Sequence, residues 1–144
     1  MKLYIINGPN LNMLGIRETE KYGTDNYETL CDTVRQHCNK TGVDTVFYQS
    51  NHEGDLVDKI QEAYFNGADG IVINPGAYTH TSIALLDALL SVNIPAVEVH
   101  ITNLSEREDF RQTSYVRKAC IATIMGKGII GYTEACDILI GGKK

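Results

Sequence analysis

Short apolar runs of strand length alternate with segments whose apolar residues return every three or four positions, and this alternation constrains the fold more than any other feature of the chain. Lys2–Asn7, Val43–Gln49, Gly70–Asn74, Ala96–Val99 and Ala119–Met125 read as strands. Tyr27, Leu30, Cys31, Val34 and Cys38 fall on one face of a helix, with Thr24 or Asp25 as its cap and Gly42 as its stop. Leu56, Val57, Ile60, Ala63 and Tyr64 form a second helical face, ended by Gly67. Ser82–Ser91 is apolar nearly all round, and Ile129–Ile140 closes the chain as a helix. Pro95 opens the fourth strand, where a missing N–H is tolerated. Units this short predict an α/β fold, a parallel sheet with helices on both faces. Right-handed crossovers among five strands predict the doubly wound, flavodoxin-like order 2-1-3-4-5. With 144 residues and no repeat or linker, the expectation is one domain over 1–144.

In such sheets a ligand binds beyond the carboxyl ends of the strands, where the strand order reverses. The residues just after the first, third and fourth strands therefore share one crevice. After the first come Asn7-Gly8-Pro9-Asn10-Leu11-Asn12 and a long segment without clear periodicity that contains Arg17 and Tyr22. So long a connection in a compact domain is usually a functional lid or a disordered loop. It matches neither glycine-rich phosphate motif, and it lacks the paired carboxylates of a phosphoryl receiver. After the third strand comes Asn74-Pro75-Gly76-Ala77-Tyr78-Thr79-His80-Thr81-Ser82, entering a helix whose first N–H groups favour an anion. Thr79, Thr81 and Ser82 are all candidate caps. After the fourth, Glu98, His100 and Thr102 are spaced by two and share a face. A carboxylate there fixes the tautomer of the imidazole and raises its proton affinity. Arg107, Arg111 and Ser114 follow.

Thirteen Lys and Arg against eighteen Asp and Glu give a net charge of -5, which argues against nucleic acid or an anionic membrane as partner. No apolar run approaches the ~18 residues of a membrane span. The apolar start is cut short by Asn7-Gly8-Pro9 and does not read as a signal peptide. Cys31, Cys38, Cys120 and Cys136 show neither a C-x-x-C pair nor zinc spacing to His. They read as reduced, mostly core thiols of a cytoplasmic protein.

The strand ends carry no nucleophile elbow, no cysteine with a nearby base, and no lysine in an apolar strand where burial could lower its pKa for imine chemistry. What remains suits proton transfer with oxyanion stabilisation on an anionic, hydroxyl-rich small molecule. A phenol is a poor base at its ordinary pKa of about 10. A neighbouring guanidinium lowers that by about one to three units, and Arg17 shares its loop with Tyr22.

Gly8-Pro9-Asn10-Leu11-Asn12-Met13-Leu14-Gly15, Arg17, Tyr22-Gly23, Gln49-Ser50-Asn51-His52-Glu53-Gly54, the run from Ile73 to Ser82 and Glu98-Val99-His100-Ile101-Thr102-Asn103 together closely resemble the type II 3-dehydroquinate dehydratases. The likeness spans nearly the whole chain. Departures are small: Met13 where Leu is more frequent and Thr19 where Pro is usual, neither removing a functional group. The resemblance implies dehydration of 3-dehydroquinate to 3-dehydroshikimate, in aromatic amino-acid biosynthesis, with no metal, cofactor or imine. It implies that Tyr22 removes the proton alpha to the ketone and that Arg17 lowers its pKa. Asn12 is implied to hold a water that stabilises the enolate. His100, oriented by Glu98, is implied to protonate the departing hydroxyl. Asn74, His80, the backbone at Ile101 and Thr102, and Arg111 are implied to hold the carboxylate and hydroxyls, with Asn10 beside them. Asp87 is implied to reach a neighbouring subunit's site, in trimers assembled into a dodecamer.

Each assignment has a plainer alternative. Tyr22 is otherwise a loop anchor, His100 a structural histidine and His80 a helix cap. Asn10, Asn12 and Asn74 are turn formers by type. Arg111 pairs naturally with Glu108 or Asp109 on the surface. Asp87 reads as an exposed helix residue, and His37 and His52 as surface residues. For the whole chain the alternatives are a flavin or phosphoryl-receiver module of the same fold and a structural assembly protein. The residues after the first strand speak against the module, and substrate turnover separates the enzyme from the assembly protein.

Overall fold

The computed structural model describes residues 1–16 and 25–142. Its strands are β1 (Lys2–Asn7), β2 (Asp44–Gln49), β3 (Gly70–Asn74), β4 (Ala96–His100) and β5 (Ala122–Met125). Its helices are α1 (Tyr27–Asn39), α2 (Glu53–Phe65), α3 (Ile83–Val92) and α4 (Ile130–Gly141). All neighbouring strands are parallel, in the order β2-β1-β3-β4-β5 that the alternation predicts.

β1 shows why the strands read as nearly unbroken apolar runs. Leu3 and Ile5 enter one core with Leu30 and Val34 of α1 and Ala135 and Leu139 of α4. Tyr4 and Ile6 enter the other with Leu56 and Ile60 of α2 and Leu85 and Leu89 of α3. Side chains alternate across a strand, so a sheet covered on both faces needs apolar residues at every position. Each fully buried aliphatic chain contributes about 1.5–3 kcal/mol by transfer from water.

Local boundaries differ from the sequence expectation where a hydrogen bond decides them. Asn26 caps α1: its backbone is extended and its side chain accepts from Thr29 N at 2.8 Å. Of the two expected caps, Asp25 lies one residue too far out, and Thr24 is outside the described residues. Ser82 caps α3 through Leu85 N at 2.9 Å, whereas Thr79 turns to Glu98. β5 begins at Ala122 rather than Ala119, because Val116–Ala119 closes as a 3₁₀ turn, with Cys120 N donating to Arg117 O at 3.0 Å. Cys31, Cys38 and Cys136 are buried, Cys120 is half-buried, and all four are free. His37 is only half exposed, and its Nε2 meets Asp137 Oδ1 at 2.7 Å, tying α1 to α4.

The carboxyl ends of β1, β3 and β4 come together where the order reverses, with Asn7 beside Asn74 and Ile73 beside Glu98. The loops that follow touch directly. Gly8 N donates to Asn74 O at 2.7 Å, and a Cβ on Gly8 would stand 2.4 Å from the Pro75 carbonyl oxygen. Only glycine permits that approach. Gly76, at φ +58, also approaches the other loop: a Cβ there would stand 3.0 Å from the Pro9 carbonyl oxygen. Among the described residues no helix is long and apolar enough to cross a membrane.

Candidate active site

A cleft of about 130 Å³ opens between these loops. The β1 loop gives it Pro9, Asn10, Leu11 and Leu14; the β3 loop gives Asn74, Gly76, Ala77 and His80. From β4 and beyond come His100, Ile101, Thr102, Leu104, Arg107 and Arg111. The crevice rule thus brings together eight residues or backbone positions named from sequence: Asn10, Asn74, His80, His100, Ile101, Thr102 and Arg111 in the lining, with Glu98 immediately behind His100.

Glu98 has no exposed surface and His100 keeps 5% of its own. The two-residue spacing puts both on one face of β4, and His100 Nε2 donates to Glu98 Oε2 at 2.5 Å. This bond sets the tautomer and leaves Nδ1 as the nitrogen for proton exchange with a ligand. Three further groups converge on the carboxylate. Thr79 Oγ1 donates to Oε2 at 2.5 Å, Ser114 Oγ lies 3.1 Å from Oε2 and 3.2 Å from Oε1, and Arg117 Nε lies 3.5 Å from Oε1. Burial pushes the Glu98 carboxyl up, but the hydrogen bonds and charges of His100, Thr79 and Arg117 outweigh it and hold the group below the ordinary carboxylate range.

A carboxyl lowered on folding stabilises the native state fully above the unfolded pKa of about 4.3 and loses that contribution as pH falls toward the folded value. The Tm advantage of the natural chain over Glu98→Gln is therefore expected to be full at neutral pH and to shrink steadily below about pH 4.3. Thermal unfolding at a series of pH values measures it, and an advantage independent of pH excludes an ionised, stabilising Glu98.

His80 Nδ1 donates to the Thr113 carbonyl at 2.7 Å, so in the neutral ring Nε2 is an acceptor. Burial, with added repulsion from His100 and Arg111, holds His80 below the ordinary imidazole value against the pull of Thr113. Arg111 Nε donates to Glu108 Oε2 at 2.9 Å, the surface pairing allowed by sequence, and it also lines the cleft. Arg107, given no role from sequence, reaches Thr102 Oγ1 with an NH group at 3.4 Å and lies 3.8 Å from Glu108. Two guanidiniums beside one exposed carboxylate thus line the cleft, donors that suit an anionic ligand.

Asn74 makes the bond of a turn former and also lines the cleft. Its Oδ1 accepts from Gly76 N at 3.1 Å as a turn former, and its Nδ2 donates to Tyr132 OH at 2.8 Å at the cleft wall. Tyr132, wholly buried on α4, donates in turn to Asn7 Oδ1 at 2.7 Å. One phenol thus ties the last residues of β1 and β3, and burial pushes it far up so that it stays neutral. Asn10 sits at φ 72, and its N–H donates to Asn51 Oδ1 at 3.0 Å.

Other expected residues stand apart. Asn12 is exposed outside the lining, its Oδ1 accepting from Gln49 Nε2 at 3.3 Å. Asp87 is exposed on α3 and absent from the cleft of its own chain. Arg17 and Tyr22 lie outside the described residues. Thr79, Ser114, Arg117 and Tyr132 have no sequence signal for their roles, since each acts through a contact made only by folding. Arg107 had one: it lies four residues before Arg111 in the same loop. Among the described residues no group of three or more His, Cys, Asp or Glu is placed to hold a metal ion.

The family model for class II dehydroquinases matches residues 1–140. A 3-dehydroquinate dehydratase of Clostridium acetobutylicum is 53% identical over 139 residues, 96% of each chain. That of Lachnospira eligens is 50% identical over 141 residues, 97% of this chain and 96% of its own. The crystal structure of type II dehydroquinase from Butyrivibrio crossotus superposes with a TM-score of 0.96 at 55% identity, covering 97% of both chains. A match of this extent, on a sheet of the expected order with a histidine–carboxylate pair in its crevice, places the chain in the class II dehydroquinase family.

Proposed function

We propose that this chain, as a single catalytic domain, is a hydro-lyase that dehydrates 3-dehydroquinate to 3-dehydroshikimate in the shikimate pathway. The observation that carries the reading is the buried Glu98–His100 pair opening on a cleft with two arginines and no lysine among its described lining. Tyr22, as phenolate, takes the proton alpha to the ketone, and the charge of Arg17, from the same segment of sequence, favours the ionised phenol. The electron pair of that C–H bond becomes an enolate, stabilised through a water held by Asn12. When the enolate collapses, the C–O bond breaks, His100 protonates the departing hydroxyl, and water leaves. Glu98 holds the imidazole in its tautomer and supports its charge. Arg111, Asn74, His80, Asn10 and the backbone at Ile101 and Thr102 hold the substrate's carboxylate and hydroxyls.

Ile83, Asp87 and Leu90 repeat at helical spacing along α3, and all three are exposed. An apolar outward face with a carboxylate in its middle supports a homo-oligomer, a dodecamer of trimers, in which Asp87 meets a neighbour's cleft. The four free thiols support a cytoplasmic setting.

Adding 3-dehydroquinate to the purified protein is expected to yield the ultraviolet absorbance of a conjugated enone; its absence removes the activity. Borohydride added with substrate is expected to leave activity intact, because no imine forms. Inactivation with a lysine adduct, seen by mass spectrometry, overturns the enolate route.

A further inference from the structure

We infer that Arg117 is a positioning residue for the reaction: its guanidinium balances the buried Glu98 carboxylate once His100 has given its proton away. The inference rests on the reading of His100 as the acid.

Glu98 is fully enclosed, and a buried carboxylate without a cation is strongly unfavourable. While His100 is protonated, the imidazolium serves as that cation. When it protonates a leaving group through Nδ1, the imidazole becomes neutral, and Glu98 is left with the Nε2–H and hydroxyls, donors that carry no charge. Among the described residues, Arg117 is the other cation paired with Glu98, on the opposite carboxylate oxygen from His100. With Arg117 present, proton loss takes the cluster from one net positive charge to none. Without it, the same step takes the cluster from neutral to a buried anion. Arg117 therefore makes His100 the better acid.

The groups that face the pair from neighbouring elements do not replace it. His80, on the β3 loop, repels His100 and attracts Glu98 only when charged, and burial keeps it below the ordinary imidazole value. Cys120 faces Glu98, and burial together with that carboxylate pushes its thiol up to about 12, so it is neutral. Thr79 and Ser114 donate hydroxyls. Arg111 lies beyond His80, paired with Glu108. Arg117 is well placed to keep its position. Its own N–H donates to Ser114 Oγ at 3.1 Å, and Val116 before it is fully buried. The side chain is 41% exposed, so solvent screens part of its effect.

The test is the pH dependence of kcat/KM for the natural enzyme, Arg117→Gln and Arg117→Lys. The backbone anchor to Ser114 does not involve the replaced side chain, and circular dichroism establishes folding of each variant. In Arg117→Gln the alkaline limb, which reports the Glu98–His100 pair, is expected to move up by about 0.5–1 pH unit. kcat is expected to fall severalfold with KM little changed, and Arg117→Lys to bring the limb back. An imidazole titration of His100 followed by NMR, independent of turnover, is expected to move in the same direction. A folded Arg117→Gln enzyme whose limb and imidazole titration stay where they were overturns the inference, as does a limb that lysine fails to restore. A His100→Asn enzyme with full turnover instead overturns the reading beneath it.

Discussion

His100→Asn is expected to lower kcat by about 10²–10⁴-fold, the range for loss of a general acid, while KM changes little. Thr79 and Ser114 still donate to Glu98 and Arg117 still balances its charge, so the buried carboxylate keeps partners in the variant. What disappears is the titratable proton on Nδ1, on the side of the ring away from the Glu98 bond, which the proposed mechanism gives to the leaving hydroxyl. Proton abstraction from substrate does not require it. Exchange of the substrate's alpha hydrogen with deuterated water is therefore expected to persist while dehydration nearly stops. Steady-state kinetics and mass spectrometry of recovered substrate measure the two. An enzyme that keeps most of its kcat removes His100 from the acid role.

Tyr22→Phe is expected to be at least as damaging, with kcat down by about 10²–10⁴-fold, and its signature differs. With no base, the enolate never forms, so dehydration and alpha-hydrogen exchange are both lost. Substrate binding is expected to survive, because the proposed reading assigns the carboxylate and hydroxyls to Arg111, His80 and their neighbours in the cleft lining. Calorimetric titration with substrate then shows near-normal affinity in an inert enzyme. A variant that still exchanges the alpha hydrogen assigns the base to another group.

The sheet was legible because its signal is carried by many residues at once. β1 alternates Leu3 and Ile5 with Tyr4 and Ile6 into two cores, and no single substitution would hide that pattern. From strand order, the position of the crevice followed by rule, and with it His80, His100 and Arg111. Boundaries were less legible, since they turn on single hydrogen bonds. Asn26 rather than Asp25 caps α1 because only its side chain reaches Thr29 N. A 3₁₀ turn shortens β5 because Cys120 N finds Arg117 O. Beyond His100, the surroundings of Glu98 were not legible. Thr79 comes from the β3 loop and Ser114 and Arg117 from the β4–β5 connection, and nothing in their local sequence distinguishes them from surface polar residues. Arg111 shows that the plain and the functional reading need not compete, since one guanidinium pairs with Glu108 and lines the cleft.

The hydroxyl of Tyr132 is joined to Asn7 across 125 positions of the chain and to Asn74 across 58. During synthesis on the ribosome β1 emerges before α4, and its terminal amide waits for a partner made 125 positions later. Until α4 docks, two amides at the mouth of the crevice face an unfilled polar gap. The pocket is thus completed when α4 docks, and a nascent chain halted before Tyr132 lacks the phenol that joins the ends of β1 and β3.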